Sequence, residues 1–525
     1  MGSTSEEISQ EAIFGPGSTV AIIGAGISGV TTAAHLLKEG VSVTVFERSG
    51  IAGGVWHFDP RVAESPPFPN YVPSLGDYKV SLPGQHAYRT PPPESPKQEG
   101  ATDEKAELAR KLADHELEIS FSPPGPCYAG LKNNVPTTLM FSVLDPWPEG
   151  TEANTSQDNI ELYIQNIAKN HGVEERTLFH TRVDDVRKSE DGKKWIIRAV
   201  TLDKSQSPVR LIERLYEFDA VVVASGHYNM PRVPDIEGLK EWKAAIPDRV
   251  IHSKQYRHPE NYRDQNLLVI GAGVSALDIC RELDGISKNS YQSVRGGDFD
   301  LPATLLPPNA TRVGEVEKFV FDVPAASNHS LADGAPIPGK VVFKDGSVLE
   351  GIHQVVVATG YITSYPFLPH LHSDTLEVTE ADEALLVTSD GNMAHNLHKD
   401  IFYINDPTLA FIGVPYHVAT FSCFDFQAQV VGRVFSGKAN LPSREDMRAE
   451  YRKRLEEKGA GRHFHSLKAG GGELVYVRDL LDWVNQDAEA NGVTPLQGHS
   501  EQWVSGYWAM RERMKGVFAK EDDVE

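Results

Sequence analysis

Apolar and polar residues near the start of this chain follow the order strand, turn, helix, strand. The apolar run Val20 to Ile23 leads into a glycine-rich turn, and a helical pattern of apolar positions then extends from Gly29 to Glu39. A second apolar strand, Val41 to Phe46, follows this helix. Two short apolar runs on either side of a helical period predict a βαβ unit with buried, parallel strands.

The same order recurs in the second half of the chain. The run Leu267 to Ile270 predicts a strand, Ser275 to Leu283 a helix and Tyr291 to Arg295 the next strand, again with a glycine-rich turn after the first strand. No other internal repeat is present in the sequence. The chain is therefore predicted to contain two βαβ units.

Two further apolar strands frame the second unit. Asp219 to Ala224 ends at Ser225-Gly226, and Gln354 to Ala358 runs into Thr359-Gly360. Since both strands stop at small residues, where a chain can leave a sheet, we expect the second unit to be inserted into the first. This predicts an α/β fold of two Rossmann-like dinucleotide-binding domains. The predicted limits are 16–225 with 352–525 for the first domain and 226–351 for the second.

The regular pattern stops between residues 76 and 126. Prolines there bracket a charged stretch with helical character, Asp103 to Glu118. Long insertions of this kind are usually functional loops or disordered segments, so we expect an excursion over the surface. Further helices are predicted over Asp158 to Asn170 and from about Asp425 onward. The neighbouring Phe421, Phe424 and Phe426 are expected to fill the core or to line a pocket.

The two turns have the glycine spacing of a phosphate-binding loop. Gly24, Gly26 and Gly29 occupy the three positions of the first turn, and Gly271 and Gly273 occupy the first two of the second. Glycine permits the tight turn and the close approach of the backbone to a pyrophosphate, while the helix N-terminus offers free N–H groups. Because both turns have the flanking strand and helix that the motif requires, the chain is predicted to bind two dinucleotides.

The residue at the end of the following strand differs between the two units. Glu47 ends the strand of the first unit, where a carboxylate accepts hydrogen bonds from a ribose 2′-OH and repels a 2′-phosphate, which fits FAD or NAD. Arg295 ends the strand of the second unit, and a guanidinium matches phosphate geometry. The second site therefore indicates NADP, with an exposed strand-end arginine as the alternative.

Composition limits the possible functions. The 525-residue chain has a formal net charge of −22 and three widely separated cysteines, Cys127, Cys280 and Cys423. The charge argues against nucleic acid as a partner, and the cysteine spacing against a disulfide framework or a dithiol redox centre. No apolar run approaches the roughly 18 residues of a membrane span, and the polar Met1–Gln10 and acidic Glu521–Glu525 lack targeting or anchoring features. We therefore expect a cytoplasmic protein.

Several motifs together resemble the flavin-containing monooxygenases. The first glycine turn followed by Glu47-Arg48 and Gly53-Gly54-Val55-Trp56 is similar to the FAD fingerprint of that family. The segment Tyr128 to Met140 resembles the family's stretch around an active-site asparagine, at Asn134 here. Other matching segments are Asp145 to Gly150, Ser225 to Tyr228, His252 to Tyr256, Ala358 to Tyr361 and Asp406 to Gly413. The resemblance covers most of the chain.

The resemblance implies FAD and NADPH as cofactors, with a small molecule and O₂ as substrates and no metal ion. NADPH would reduce FAD, O₂ would add at flavin C4a, and the C4a-hydroperoxyflavin would pass an oxygen atom to a soft nitrogen or sulfur centre. The resemblance and the two glycine turns together assign the cofactor contacts to the following residues: Gly24, Gly26, Ile27, Ser28, Gly29, Glu47, Arg48, Gly54, Val55, Trp56, His57, Asn133, Asn134, Val135, Gly271, Gly273, Val274, Ser275, Ala276, Leu277, Asp278 and Arg295.

Among these residues Asn134 is the catalytic candidate, because its amide can donate to oxygen on the flavin or to the nicotinamide. The alternative is that Asn134 caps a turn before Pro136, a common use of asparagine. Arg48 is expected to contact the FAD phosphate or ribose, or to pair at the surface. Asp278 is expected near the NADP pyrophosphate, or facing solvent. His57, His227 and His252 are more typical of turn or packing residues than of bases.

One signature of the family is imperfect. In the pattern FxGxxxHxxxY, His252 and Tyr256 fit, while Ile246 and Asp248 replace the Phe and the Gly. Trp242 is a candidate for the missing ring, supplied from a longer loop. Baeyer–Villiger monooxygenases, which usually carry Trp at the position of Tyr256, are the second hypothesis for the reaction. A non-catalytic FAD- and NADPH-binding sensor is the alternative from another functional class. The sequence leaves open whether the protein forms a homodimer.

Overall fold

A computed structural model describes residues 14–15, 17–85, 103–205, 208–321 and 334–518. The polar segment Met1–Gln10, the middle of the predicted insertion (86–102) and the acidic residues Glu521–Glu525 lie outside these ranges.

The described part contains helices and strands throughout. The helices are α1 (Ile27–Lys38), α2 (Asp103–Phe121), α3 (Gln157–Asn170), α4 (Leu239–Ala245), α5 (Val274–Glu282), α6 (Thr420–Phe435), α7 (Arg444–Lys458), α8 (Gly472–Asn485) and α9 (Glu501–Phe518). The strands are β1 (Thr19–Ile23), β2 (Ser42–Phe46), β3 (Thr177–Leu178), β4 (Thr181–Lys188), β5 (Trp195–Asp203), β6 (Arg210–Phe218), β7 (Ala220–Val223), β8 (Met230–Pro231), β9 (Val250–His252), β10 (Asn266–Ile270), β11 (Asn289–Ser293), β12 (Ala310–Val313), β13 (Val316–Phe321), β14 (Gly339–Phe343), β15 (Val348–Glu350), β16 (Gln354–Val357), β17 (Tyr361–Ile362), β18 (Leu397–His398), β19 (Phe402–Tyr403) and β20 (Leu409–Phe411).

The first βαβ unit lies in a seven-stranded sheet of order β18-β19-β20-β7-β1-β2-β3. Strands β20, β7, β1, β2 and β3 run parallel, and β18 and β19 form an antiparallel edge. Alternate residues of β1 point to opposite faces. Val20 and Ile22 pack with α1, α6 and α8 on one face, whereas Ala21 and Ile23 pack against the antiparallel sheet β4-β5-β6 on the other. Burial on both faces explains the uninterrupted apolar sequence of β1.

The second unit lies in a fully parallel sheet of order β12-β11-β10-β16-β9. Strand β10 is central and its last four residues are buried. A small antiparallel sheet, β13-β14-β15, shares a core with it. The two predicted βαβ units and the α/β fold of two dinucleotide-binding domains are thus confirmed.

The chain leaves the first sheet after β7 and returns to it at β18, and the strands of the second sheet lie between these points. This is the topology of an insertion. The predicted limit at residue 351 is too early, however, because β16 pairs with β10 from Leu267–Gln354 to Ile270–Val357. The second unit therefore extends to Val357, since a strand belongs to the sheet whose ladder it completes.

Two other element boundaries need correction. Helix α6 begins at Thr420, not near Asp425, and Phe421, Phe424 and Phe426 are buried within it. Strand β11 ends at Ser293, so the predicted strand end at Arg295 lies two residues too late. The helix predicted over Asp158 to Asn170 is confirmed as α3.

The predicted insertion is not simply a surface excursion. The helix expected from Asp103 is present as α2, and its last residue, Phe121, is buried against β5. Before the undescribed residues, the Tyr78 hydroxyl donates to the Val183 carbonyl at 2.8 Å, and the Ser81 N–H donates to Asp184 at 3.0 Å. Both described ends of the insertion are therefore anchored on the β4-β5-β6 sheet.

Trp242 does not lie on a longer loop. It belongs to α4, is buried, and contacts the rings of Phe319 and Phe321 at centroid distances of 4.9 and 5.5 Å. Ile246, which replaces the phenylalanine of the family pattern, is buried in the same cluster. Trp242 therefore fills the core of the second unit.

Candidate functional site

The first glycine turn is shaped by close backbone contacts. A Cβ atom on Gly24, whose φ is +103°, would lie 2.7 Å from the carbonyl oxygen of Ala224. A Cβ atom on Gly29 would lie 1.9 Å from the carbonyl oxygen of Gly24. Gly26 differs, because its φ is −74° and its nearest neighbour would be the Cα of Gly54 at 3.5 Å. Gly24 and Gly29 are therefore required by the fold, whereas Gly26 leaves open space above the turn.

Helix α1 presents unpaired donors at this open space. Its first intrahelical bond runs from the Val30 N–H to the Gly26 carbonyl at 2.9 Å. The N–H groups of Ile27, Ser28 and Gly29 have no acceptor among the described residues. A helix N-terminus with free N–H groups binds anions through these donors and through the helix dipole. The geometry suits a pyrophosphate.

Glu47 is buried beside the same turn. Its Oε2 accepts a hydrogen bond from the Ala25 N–H at 2.7 Å, and its Oε1 accepts one from the Ser49 N–H at 2.8 Å. A carboxylate has about four acceptor positions, so these two bonds orient Glu47 and leave capacity for ribose hydroxyls. The position predicted from the sequence is thus compatible with a nucleotide.

The loop Gly53 to Trp56 crosses the turn. The Gly53 N–H donates to the Ala25 carbonyl at 3.0 Å, and a Cβ on Gly54 would lie 2.8 Å from the Cα of Gly26. Trp56 meets Phe421, near the start of α6, edge to face at 6.3 Å. This loop brings Val55 and Trp56 alongside the phosphate site, as the FAD fingerprint implies.

Arg48 forms an ion pair with a carboxylate of the protein. Its guanidinium makes two 2.9 Å hydrogen bonds to Asp77, whose other neighbour is Lys254 at 2.8 Å. Burial opposes ionisation of Asp77, but the two cations outweigh it and hold the pKa of Asp77 well below its ordinary value. Arg48 is therefore paired with a buried carboxylate rather than with a surface group, and its contact with FAD stays a prediction.

His57 is likewise paired within the protein. Its Nδ1 lies 2.9 Å from Glu161 Oε1, and this hydrogen bond raises the pKa of the imidazole. His252 is fully buried, with Nε2 3.2 Å from the Gly360 carbonyl and Nδ1 accepting from the Lys254 N–H. Burial lowers the pKa of His252 to about 3 and that of His227 to about 4. His252 is therefore a buried, neutral packing residue at the end of β9.

The second glycine turn repeats the geometry of the first. A Cβ on Gly271, whose φ is +125°, would lie 2.4 Å from the Ala358 carbonyl oxygen. Gly273 has a φ of −79°, and a Cβ there would meet no described atom within 4 Å. The N–H groups of Val274, Ser275 and Ala276 have no acceptor in the described part of the chain. The turn therefore offers a second open anion site, with Ser275 exposed at its edge.

The residues that follow this turn play different parts. The side chains of Ala276 and Leu277 are buried, so only their backbone is available to a nucleotide. Asp278 accepts a hydrogen bond from the Tyr128 hydroxyl at 3.0 Å. The side chain of Asp278 is therefore directed at Tyr128, and the predicted place of Asp278 near the NADP pyrophosphate stays a prediction.

Arg295 lies two residues beyond β11 on the side of the open turn. Its side chain is exposed, and the described residues offer its guanidinium no hydrogen-bond or ion-pair partner. The Gly271 N–H donates to the Ser293 carbonyl at 2.9 Å, which joins the turn to the end of β11. An unpaired guanidinium at this place is suited to a 2′-phosphate.

Asn133 and Asn134 are neighbours with opposite roles. The Asn133 amide donates to the carbonyls of Val135 and Ala153 at 2.7 and 2.9 Å, and its oxygen accepts from the Thr155 N–H at 2.6 Å. Asn133 is buried and its side chain is fully used, so it is a structural residue and not a free donor. Asn134 is exposed, and its amide has no partner among the described residues. The turn before Pro136 is therefore stabilised by Asn133, which leaves Asn134 free.

Sequence reasoning missed several buried charged residues. Asp77 and Lys254 are both buried and stabilise Arg48, but their charges give no signal of burial in the sequence. The carboxyl of Glu473 accepts from the Ala419 N–H at 2.9 Å, at the start of α6. Burial raises the pKa of Glu473 to about 7. The only signal for these residues is contact between distant segments, which a single sequence does not contain.

The residues present fit two dinucleotides. Each turn combines free N–H groups with a second glycine that leaves room for a close ligand, and the strand-end residues Glu47 and Arg295 distinguish the two sites. None of the helices in the described ranges combines the length and apolar character that crossing a bilayer requires. The same ranges hold no group of three or more His, Cys, Asp or Glu that could bind a metal ion.

Comparison with known proteins agrees with this site. The Flavin-binding monooxygenase-like family matches residues 128–304 and 338–490, and the FAD dependent oxidoreductase family matches residues 19–59. Flavin-containing monooxygenase ustF2 of Aspergillus flavus is 41% identical over 507 residues, which cover 95% of this chain and 98% of that protein. Flavin-containing monooxygenase ustF1 of the same organism is 37% identical, with coverage of 92% and 87%.

Among solved structures, the S-allyl-L-cysteine S-oxygenase of Allium sativum is similar with a TM-score of 0.64 and 22% identity. The similarity covers 97% of this chain and 98% of that structure and supports the fold. Since the family match spans more than half of the sequence, the chain belongs to the flavin-binding monooxygenase-like family and is an FAD-dependent oxidoreductase that uses NADPH.

Proposed function

We propose that this enzyme uses NADPH and O₂ to oxygenate a soft nucleophilic nitrogen or sulfur atom of a small molecule. The observation that carries the proposal is the exposed amide of Asn134, which has no partner in the described part of the chain, while the neighbouring Asn133 supplies the structural hydrogen bonds. A free amide donor on a loop that is held in place can stabilise negative charge that develops on oxygen.

The other residues would bind and orient the cofactors. The N-terminus of α1 and Glu47 would hold the pyrophosphate and ribose of FAD, and the N-terminus of α5 with Arg295 would hold NADPH. The chemistry that bound FAD supplies is acceptance of hydride from NADPH and transfer of one oxygen atom from O₂. The chain needs no activated nucleophile for this. Its residues orient the two cofactors and keep the reaction away from water.

We place the FAD-binding domain at residues 16–225 with the segments after Val357, and the NADPH-binding domain between them. This assignment is supported by the first sheet, which contains the turn with Glu47, and by the second sheet, which contains the turn with Arg295. The second sheet includes β16, so the proposed boundary lies after Val357.

The test is NADPH oxidation by the purified protein across a panel of thioethers, amines, oximes and ketones, with product masses and hydrogen peroxide measured in parallel. Thioethers or amines should give products one oxygen atom heavier, with NADPH consumed in proportion. Conversion of ketones to esters alone would favour Baeyer–Villiger oxygenation instead. Flavin binding without substrate-dependent NADPH use would favour a sensor.

A matched pair of variants separates cofactor binding from folding in this experiment. Gly26→Ala places a methyl in the open space above the turn, where the nearest protein atom would be 3.5 Å away. The protein should fold but be isolated without yellow flavin. Gly24→Ala should instead destabilise the protein itself, because its Cβ would lie 2.7 Å from the Ala224 carbonyl.

A further inference from the structure

The segment that carries Asn134 also forms part of the core of the second unit. Tyr128 is buried, and its ring meets that of Tyr256 edge to face at 5.7 Å. Tyr128 and Leu131 pack with Ala276 and Ile279, which lie on α5. The helix whose N-terminus faces the predicted NADPH site is therefore in direct contact with the segment that leads to Asn134.

Two acidic residues on one face of α5 make this contact specific. The Tyr128 hydroxyl donates to Asp278 Oδ2 at 3.0 Å. Glu282, four residues later and hence on the same helix face, lies so close to Gly130 that a Cβ there would be 1.8 Å from Oε1. The face of α5 that contains Asp278 and Glu282 thus fits against the backbone of 128–131.

The residues just before Asn134 also have contacts that do not involve α5. The Leu131 carbonyl accepts from the Gln157 N–H at 2.9 Å, and Asn133 binds the segment that contains Ala153 and Thr155. Asn134 therefore directly follows a segment that is anchored at two places. One anchor is helix α3 with the residues before it, and the other is helix α5.

We propose that Tyr128 and Asp278 are positioning residues that link NADP binding at the N-terminus of α5 to the placement of Asn134. A bound nucleotide restrains the start of α5, and the hydrogen bond to Asp278, in the second turn of the same helix, passes this restraint to the segment 128–134. The inference rests on the proposed function for the role of Asn134. The link between α5 and the segment 128–134 does not depend on that role, because it rests only on the contacts described above.

The test compares Tyr128→Phe, which removes only the hydroxyl, with Asp278→Asn, which keeps an oxygen acceptor for it. Tyr262→Phe is the matched control, because Tyr262 stacks on Tyr256 in the same core and takes no part in the hydrogen bond between Tyr128 and Asp278. Hydrogen–deuterium exchange of residues 131–135 is measured on the FAD-loaded protein with and without saturating NADP⁺. The second readout is the fraction of NADPH oxidation that yields hydrogen peroxide instead of oxygenated product.

In the wild type, in Asp278→Asn and in Tyr262→Phe, NADP⁺ should slow amide exchange in 131–135 several-fold. In Tyr128→Phe this slowing should be lost while FAD and NADP⁺ still bind, and the peroxide share should rise several-fold. If Tyr128→Phe does not fold, Asp278→Leu tests the same bond from the other side. Unchanged NADP⁺-dependent protection in the variant that lacks the bond would overturn the link.

The two proposals fail in different ways. The exchange experiment needs only NADP⁺ and no oxygenated product, so it tests the link between α5 and the loop directly. Loss of protection in Tyr128→Phe, combined with full coupling in Asn134→Ala, would keep the link and refute the catalytic role of Asn134. Absence of any oxygenated product from the wild type would refute the proposed function alone.

Discussion

The carbonyl oxygen of Ala358 lies 2.4 Å from the place that a Cβ atom on Gly271 would take. The same relationship joins Ala224 to Gly24 in the first unit, at 2.7 Å. In both units the strand that ends beside the turn occupies the space of the missing side chain. The first glycine of each turn therefore serves the packing of the protein, and the second, Gly26 or Gly273, leaves room for a ligand.

This difference predicts opposite effects of alanine at the two positions of the second turn. Gly273→Ala should leave the melting temperature of the nucleotide-free protein unchanged or slightly higher, because the φ of −79° suits alanine and no atom lies within 4 Å. NADP⁺ binding, measured by calorimetry, should be lost as the methyl blocks the pyrophosphate. Gly271→Ala should lower the melting temperature without nucleotide. If Gly273→Ala bound NADP⁺ with wild-type affinity, the second glycine turn would not be the NADP-binding site.

Arg295→Ala should weaken the use of NADPH much more than that of NADH. A hydrogen bond to a charged group contributes about 1.5–3 kcal/mol, and an exposed guanidinium belongs at the lower end, so the KM for NADPH should rise roughly tenfold. The comparison of KM values for the two nucleotides is the measurement. Arg478→Ala, an exposed arginine on α8, is the control. Equal losses for both nucleotides would make Arg295 structural.

Replacing each of the two neighbouring asparagines should separate catalysis from stability. Asn134→Ala should keep FAD and the wild-type melting temperature but release most reducing equivalents as hydrogen peroxide, since a preorganised donor to developing negative charge contributes about 2.7–4 kcal/mol. Asn133→Ala should instead lower the free energy of unfolding by about 2–3 kcal/mol, because it leaves the buried partners of its amide unpaired. Peroxide yield and thermal denaturation are measured for both. If Asn134→Ala still coupled NADPH oxidation fully to product formation, Asn134 would have no role in the mechanism.

The buried carboxyl of Glu473 predicts a pH dependence of stability. Burial raises its pKa from the ordinary 4.5 to about 7, and its Oε1 has no partner among the described residues. The folded protein therefore binds this proton more tightly than the unfolded chain does. The resulting stabilisation is complete below pH 4.5 and is lost as the pH rises to about 7. By itself this carboxyl lowers the melting temperature across the window, whereas the histidines with lowered pKa values, among them His252 and His227, contribute in the opposite direction.

Glu473→Gln should remove only the Glu473 contribution, so its melting temperature should fall less, or rise more, with pH than that of the wild type, because an amide keeps an acceptor for the Ala419 N–H and does not titrate. Some slope should remain, since burial also raises the pKa of Glu282 to about 7. Melting curves of both proteins across the window give the comparison. An identical slope in Glu473→Gln would show that this carboxyl is not the group that titrates.

Much of the fold could be predicted from local pattern. The apolar runs of β1 and β10, the glycines after them and the helical periods of α1 and α5 are local signals, and each was found within about two residues of its predicted bounds. The helix α6 was placed too late, because its N-cap residue, Ala419, makes no side-chain capping hydrogen bond that would mark the start of a helix. The strand β16 was assigned to the wrong domain because its ladder partner is distant in sequence.

The sequence by itself determined the two dinucleotide turns, the strand-end residues Glu47 and Arg295 and the presence of an asparagine loop, since spacing and residue type are properties of neighbouring positions. Only the tertiary structure decided that Asn133 is structural and Asn134 free, and that Asp278 faces Tyr128. It likewise decided that Arg48 is paired with Asp77. Hydrogen bonds and desolvation depend on which distant segments meet, and that information arises only when the chain folds.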